Sequence, residues 1–226
     1  MKRQNSNAVQ GAVSNPLANI QKIEKEREER RRKFEEIKQQ KKEREDANKA
    51  AGRVCDVEFD MMIEDERRKA PKALNHVSSN QMQICVCVRK RPLFEKEVSN
   101  GEIDAVTCPN PLVIVHEPKV KVDGITKYVQ NSEFNFDNSY SEKESSNDLY
   151  KFQIRDLLPS LFKNGVVTLF AYGQTGSGKT FTVTAATHDA IHDLFKTAPS
   201  GTVFNMSFFE IYGGKCFDLL NGKKTL

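Results

Sequence analysis

Residues 173–180, Gly-Gln-Thr-Gly-Ser-Gly-Lys-Thr, constrain this chain more than any other stretch. They match G-x-x-x-x-G-K-[ST], directly follow the apolar run Val166–Tyr172 and open the helical pattern of Lys179–Thr197. A buried strand, a glycine turn and a helix in that order converge backbone N–H groups on a helix N-terminus, which makes a cradle for phosphate. The backbone of Gly173, Gln174, Thr175, Gly176, Ser177 and Gly178 is expected to wrap the phosphates. Lys179 is expected to reach the β and γ groups and the Thr180 hydroxyl to ligate Mg²⁺. The loop reads as a nucleotide site, with Lys179 and Thr180 as the candidate catalytic residues and Thr180 as the metal ligand.

Hydrolysis asks for more than a cradle. An acid at the end of an apolar strand normally completes the Mg²⁺ site, and another group orients the attacking water. After Thr180 the acids are Asp189, Asp193, Glu210 and Asp218. The first two sit one turn apart on the helix that follows the loop. Glu210 is followed by more strand, Ile211 and Tyr212, and Asp218 follows Lys-Cys-Phe. None has the expected context.

Charge divides the 226 residues. Residues 1–80 carry 19 Lys/Arg against 15 Asp/Glu, whereas residues 81–226 are balanced at 16 of each. Between 21 and 50, 21 residues are charged, too many for a core. The reading is a polar, disordered leader over 1–16, a charged helical neck and connector over 17–80, and a globular part over 81–226. No apolar run is long enough to span a bilayer, and no signal-peptide h-region is present. Five cysteines without a C-x-x-C pair read as reduced thiols of a cytosolic protein.

From Leu17 to Ala51 there is neither Pro nor Gly, and Glu26–Arg30, Glu28–Arg32 and Glu29–Lys33 place acid before base at i,i+4. This predicts a solvated helix stopped by Gly52. It is not a strong coiled coil, because Ile23 and Phe34 stand eleven residues apart. Residues 53–80 predict a connector with one or two amphipathic turns around Phe59, Met62 and Ile63. Further on, strands are expected at Met82–Val88, Leu112–His116, Lys127–Asp137, Val166–Tyr172 and Val203–Tyr212. Helices are expected at Asn147–Lys163 and Lys179–Thr197, and the interleaving argues for an α/β fold.

At this point the motifs resemble a known family. Phe170-Ala-Tyr-Gly-Gln-Thr-Gly-Ser-Gly-Lys-Thr180 resembles the phosphate loop of a kinesin motor domain. Arg89-Lys-Arg-Pro92 resembles its R-x-R-P adenine motif, and Ser207-Phe-Phe-Glu-Ile-Tyr212 with Asp218-Leu-Leu220 the strand and turn after the motor's second helix. Ile84-Cys-Val-Cys-Val-Arg-Lys-Arg-Pro-Leu93 and His116-Glu-Pro-Lys-Val-Lys-Val-Asp123 resemble the kinesin-13 class, the internal motors that depolymerise microtubules. The resemblance implies a P-loop NTPase sheet sandwiched by helices, incomplete here and preceded by a long charged helix. It implies ATP and Mg²⁺ as ligands, with Arg89, Arg91 and Pro92 bordering the adenine and Phe181 stacking on it. It implies tubulin as partner, met by Lys121, Val122 and Asp123, and a place in the cytoplasm on microtubules. Neither nucleic acid nor a membrane is expected as a partner.

The sequence also departs from that family. The stretch from Phe181 to Val203 is short, and Val183–Ala186 replaces a Met-Gly-Gly type segment. The switch motifs N-x-x-S-S-R and D-x-x-G do not occur. The expectation is therefore an N-terminal portion of a longer motor, or a truncated product, whose Val166–Tyr172 strand lacks both lateral neighbours and which turns over no ATP alone. A non-catalytic, tubulin-binding fragment that regulates complete motors is the alternative.

Overall fold

A computed structural model describes residues 16–226, with side chains from Ile20 onward apart from Gln81. The leader expected at 1–16 lies, except for Pro16, outside the described residues. Among the described residues, no helix is long and apolar enough to cross a membrane. The chain forms two compact units.

The first unit runs to Leu74 and resumes over Val88–Ser141. Helix α1 (Pro16–Ala50) is the expected charged helix, and Gly52, at φ 67°, turns the chain after it. Two expected i,i+4 pairs form, Glu26–Arg30 at 3.8 Å and Glu29–Lys33 at 3.1 Å, while Arg32 pairs forward to Glu36 at 3.5 Å. The connector holds more than one or two turns. Helix α2 (Val57–Lys69) is capped by Asp56, whose side chain accepts from the N–H groups of Glu58 and Phe59. Acids in its first turn and Arg67, Arg68 and Lys69 in its last complement the helix dipole. Its buried face is Val57, Asp60 and Ile63. From Lys41 onward α1 lies on α2 through Lys41–Glu58, Arg44–Asp60 and Arg44–Glu64.

Strand β1 (Cys87–Arg89) is followed by the short helix α3 (Glu95–Ser99) and by β2 (Val106–Thr107). Strands β3 (Leu112–Val120) and β4 (Lys127–Asn135) form a nine-pair antiparallel hairpin, with β2 on the outer edge of β3. Strand β5 (Asn138–Tyr140) is wholly buried and pairs with β1. The strand expected over Met82–Val88 is thus cut to its end, because β5 offers only three residues to pair with. Tyr128 and Phe134 of β4 are exposed. The opposite face meets α2, where Lys127 bonds Asp56 at 2.6 Å and sits 4.9 Å over the Phe59 ring.

The second unit comprises Asn75–Cys87 and Glu142–Leu226. Ser145 opens helix α4 (Ser146–Gln153) with a capping box. The single helix expected over 147–163 breaks at Ile154 (φ −126°), passes through one 3-10 turn and ends as the short α5 (Leu158–Leu161), with Pro159 inside its first turn. Helix α6 (Lys179–Thr197) has the expected bounds. It meets α4 around Leu149, Tyr150 and Ala186, and the Tyr150 hydroxyl donates to Asp193 at 2.6 Å. Strands β6 (Phe209–Tyr212), β7 (Lys215–Asp218) and β8 (Lys224–Thr225) form an antiparallel meander.

Two segments expected as buried strands are open in the structure. Val166–Tyr172 forms no strand, and Val166, Phe170 and Tyr172 are 90%, 84% and 98% exposed. Of Val203–Tyr212 only β6 is strand, and Phe209, Ile211 and Tyr212 are exposed. Apolar content suits a segment to burial, but a strand forms only where a neighbour takes its N–H and C=O groups. Among the described residues nothing lies beside Val166–Tyr172 in a sheet.

Candidate nucleotide site

The loop expected to hold phosphate stands at the N-terminus of a 19-residue helix. Gly176 and Gly178 adopt φ 81° and 92°, values that side-chain-bearing residues rarely reach, and Gly178 is the residue from which α6 starts. Gly178 supplies no side-chain cap, and the first turn of α6 contains no acid. The helix therefore presents its positive end to the loop without an internal anion. Lys179 folds over the same loop. Its ammonium donates to the carbonyls of Gly173 at 2.7 Å and Gln174 at 2.8 Å. Thr180 and Phe181 lie on the open side of the helix start, with the Phe181 ring 69% exposed. This arrangement fits a polyphosphate. The donors are backbone N–H groups and one ammonium, the hydroxyl of Thr180 is accessible to a hydrated divalent cation, and no carboxylate repels either.

The four downstream acids are engaged elsewhere. Asp193 accepts from Tyr150, Glu210 pairs with Lys223 at 3.0 Å, Asp218 accepts from the Leu220 N–H, and Asp189 lies 3.3 Å from His188. Burial, together with Asp193, pushes the Tyr150 phenol far above its ordinary value. Among the described residues no cluster of three or more His, Cys, Asp or Glu is arranged around a metal.

Arg89, Arg91 and Pro92 belong to the first compact unit and the loop to the second. Arg89 ends β1. The Arg91 guanidinium is committed within its own unit. It makes a two-pronged bond to Glu97, at 2.7 and 2.6 Å, and lies 4.1 Å from the Phe94 ring centroid. That guanidinium, followed by the Phe94 N–H, pulls the Glu97 carboxyl from an ordinary 4.5 down to about 2. A depressed carboxylate contributes at neutral pH and loses its contribution only as the pH falls through the folded-state value. Glu97 is therefore expected to stay ionised in a carboxyl ¹³C NMR titration until about pH 2. An inflection near 4.5 would mean that Arg91 is not held by it.

Lys121, Val122 and Asp123 form the tip of the β3–β4 hairpin. The turn closes by Lys121 N–H to Thr126 O at 2.9 Å and Gly124 N–H to Lys121 O at 2.9 Å. The Asp123 carboxylate turns inward and accepts from the Thr126 hydroxyl and from the N–H groups of Thr126 and Ile125, which hold its pKa below the ordinary value. Val122 is left fully exposed.

Sequence reasoning missed what secures this hairpin. Arg67 Nε–H donates to Thr107 Oγ1 at 3.2 Å, Thr107 hydrogen-bonds His116 Nε2 at 2.8 Å, and His116 Nδ1–H donates to Asn131 Oδ1 at 2.8 Å. Asn131 Nδ2 then donates to Glu66 at 2.7 Å. The chain of bonds starts and ends on neighbouring residues of α2 and passes through a histidine that is 1% exposed. The available signal was His116 two residues after Ile114, on the inward side of a strand.

A Gly-rich loop with its lysine at the start of an uncapped helix defines the phosphate-loop class. A family model described as kinesin motor domain matches residues 89–226, more than half of the chain, and the chain belongs to the kinesin motor family. Its fold is accordingly mixed α/β with a long helix ahead of the matched region. Among solved structures it is similar to a KIF14 dimer in the two-heads-bound state, with AMP-PNP and in complex with a microtubule. The identity is 27% and the TM-score 0.49, over 64% of this chain and 44% of that one. The chain thus spans less than half the length of that relative.

Proposed function

We propose that this chain supplies the neck, the tubulin-directed hairpin and the phosphate loop of a microtubule-depolymerising motor of the kinesin-13 type. Gly173–Thr180 would hold the phosphates of ATP, with Lys179 on the β and γ groups, Thr180 on Mg²⁺, and Phe181 toward the base. Bound Mg²⁺ would offset phosphate charge. The chain's own part is to bind and orient the nucleotide, since its downstream acids are engaged elsewhere. The place of action is the cytoplasm, on microtubules, and the turnover step belongs to a motor that also carries the switch motifs.

The observation that supports the depolymerase reading best is the hairpin tip. Asp123 is spent on rigidifying its own turn, so Lys121 and the bare Val122 stand at the end of a hairpin whose β4 strand is bonded to α2 and its Asp56 cap close behind the turn, at Lys127 and Asn131. A stiff, narrow projection can be pressed into a crevice between tubulin subunits and favour their curved arrangement. In the motor containing these residues, replacing Lys121, Val122 and Asp123 together by alanine is expected to abolish ATP-dependent release of tubulin from stabilised microtubules. Sedimentation reads the release, and nucleotide affinity stays within about twofold, as expected for sites that share no side chain. Undiminished release would remove the hairpin from the mechanism.

A second reading, a non-catalytic tubulin-binding fragment, is favoured by the exposed, unpaired Val166–Tyr172. In that case microtubule binding by the 226-residue chain survives Lys179→Ala and falls steeply between low and physiological salt, because α1 acts through screened charges.

A further inference from the structure

The helix α1 is longer than its own packing needs. From Ile20 to Gln40 every residue is exposed, and contacts to α2 begin only at Lys41. Lys41 and Arg44 then pair with α2, Asn48 donates to the Cys55 thiol just before it, and these three continue one seam of the helix at three- and four-residue steps. Traced back toward the N-terminus, the same seam reads Ile37, Phe34, Arg30, Arg27, Ile23 and Ile20. The eleven-residue gap between Ile23 and Phe34 is thus a gap in apolarity and not in register: Ile20–Ile23 and Phe34–Ile37 are two a/d pairs separated by two heptads. All four side chains are 50–70% exposed.

We propose that this free seam is a self-association surface, on which a second copy of the chain lies antiparallel, centred between Glu28 and Glu29. That register sets Ile20 against Ile37 of the second copy and Ile23 against its Phe34, giving four apolar layers over about 27 Å at a rise of ~1.5 Å per residue. Charge decides the direction. In antiparallel helices the e positions of one face the e positions of the other, and likewise the g positions. Here e–e contact pairs Glu24 with Arg31 and g–g contact pairs Glu26 with Lys33, twice each by symmetry, all attractive. A parallel pair would also match apolar layers but would set Lys33 against Lys38. Arg27 and Arg30 occupy the two central layers. Such polar layers lower affinity and penalise other registers, which would drive an apolar pair onto arginine. The association is therefore reversible, and it suits two copies brought together at one surface.

The test uses the complete 226-residue chain at low ionic strength, with mass followed by sedimentation equilibrium. Wild-type chain is expected to dimerise reversibly with concentration. Glu24→Lys or Arg31→Glu alone should each raise the dissociation constant roughly tenfold, since both symmetric pairs turn repulsive at once. An equimolar mixture of the two variants should regain wild-type affinity, because the reversed charge at position 24 of one then meets the reversed charge at position 31 of the other. Ile23→Glu should abolish dimerisation. None of these residues touches the rest of the fold, so circular dichroism should stay unchanged. A chain that is monomeric at every concentration overturns the proposal. So does a dimer indifferent to Glu24→Lys, which would mean association elsewhere, and so does a mixture that fails to recover.

Discussion

Lys179→Ala is expected to lower the affinity of the chain for ATP with Mg²⁺ by roughly two orders of magnitude. The ammonium already sits on the loop, held by the carbonyls of Gly173 and Gln174 at 2.7 and 2.8 Å. These are weak, neutral acceptors. A polyphosphate offers anionic oxygens, so the bond that the ammonium already makes to a neutral carbonyl gains an opposite charge, on the order of 1–1.5 kcal/mol more per contact. The gain on transferring the ammonium from carbonyl to phosphate is therefore about 2–3 kcal/mol for two contacts, or roughly 30- to 150-fold in binding. Titration of a fluorescent ATP analogue measures it. Unchanged affinity would mean that the loop is not the nucleotide site, and the functional reading would fall with it. The fragment reading adds that microtubule binding by the same variant persists.

The second large effect is on stability. His116→Ala should destabilise the unit containing α2 and the hairpin by about 2–4 kcal/mol, combining a cavity with the loss of one partner each for the half-buried Thr107 hydroxyl and the Asn131 amide oxygen. Whole domains have about 5–15 kcal/mol, so the loss is a large fraction. Urea denaturation followed by circular dichroism measures it. A cost below about 0.5 kcal/mol, the range of ordinary surface changes, would show that the polar chain from Arg67 to Glu66 is incidental. A large cost ties the neck to the hairpin energetically, since both ends of that chain lie on α2. The tip at Lys121–Asp123 would then move with the neck.

The parts legible in the sequence share a local cause. The bounds of α6 follow from the glycine that precedes Lys179, and α1 from an uninterrupted run of good helix formers ended by Gly52. The hairpin tip is written in Asp123-Gly124, whose side chain and backbone close the turn without distant help. Helix α2 has equally local causes, Asp56 as cap and a basic last turn, but its apolar residues are few, so the segment reads as a connector in sequence.

What the sequence by itself determined is the chemistry that neighbouring residues can build: a phosphate cradle at a helix start, a charged helix and a stiff projecting hairpin. Only the tertiary structure decided which apolar segments are buried. Val166–Tyr172 and Val203–Phe208 have the composition of core strands yet lie open, because a strand is completed by the backbone beside it and not by its own side chains. The tertiary structure likewise decided that Arg91 answers to Glu97 and that His116 bridges two strands back to a helix. Partners far apart in the chain, unlike those within one turn of a helix, are chosen by the fold.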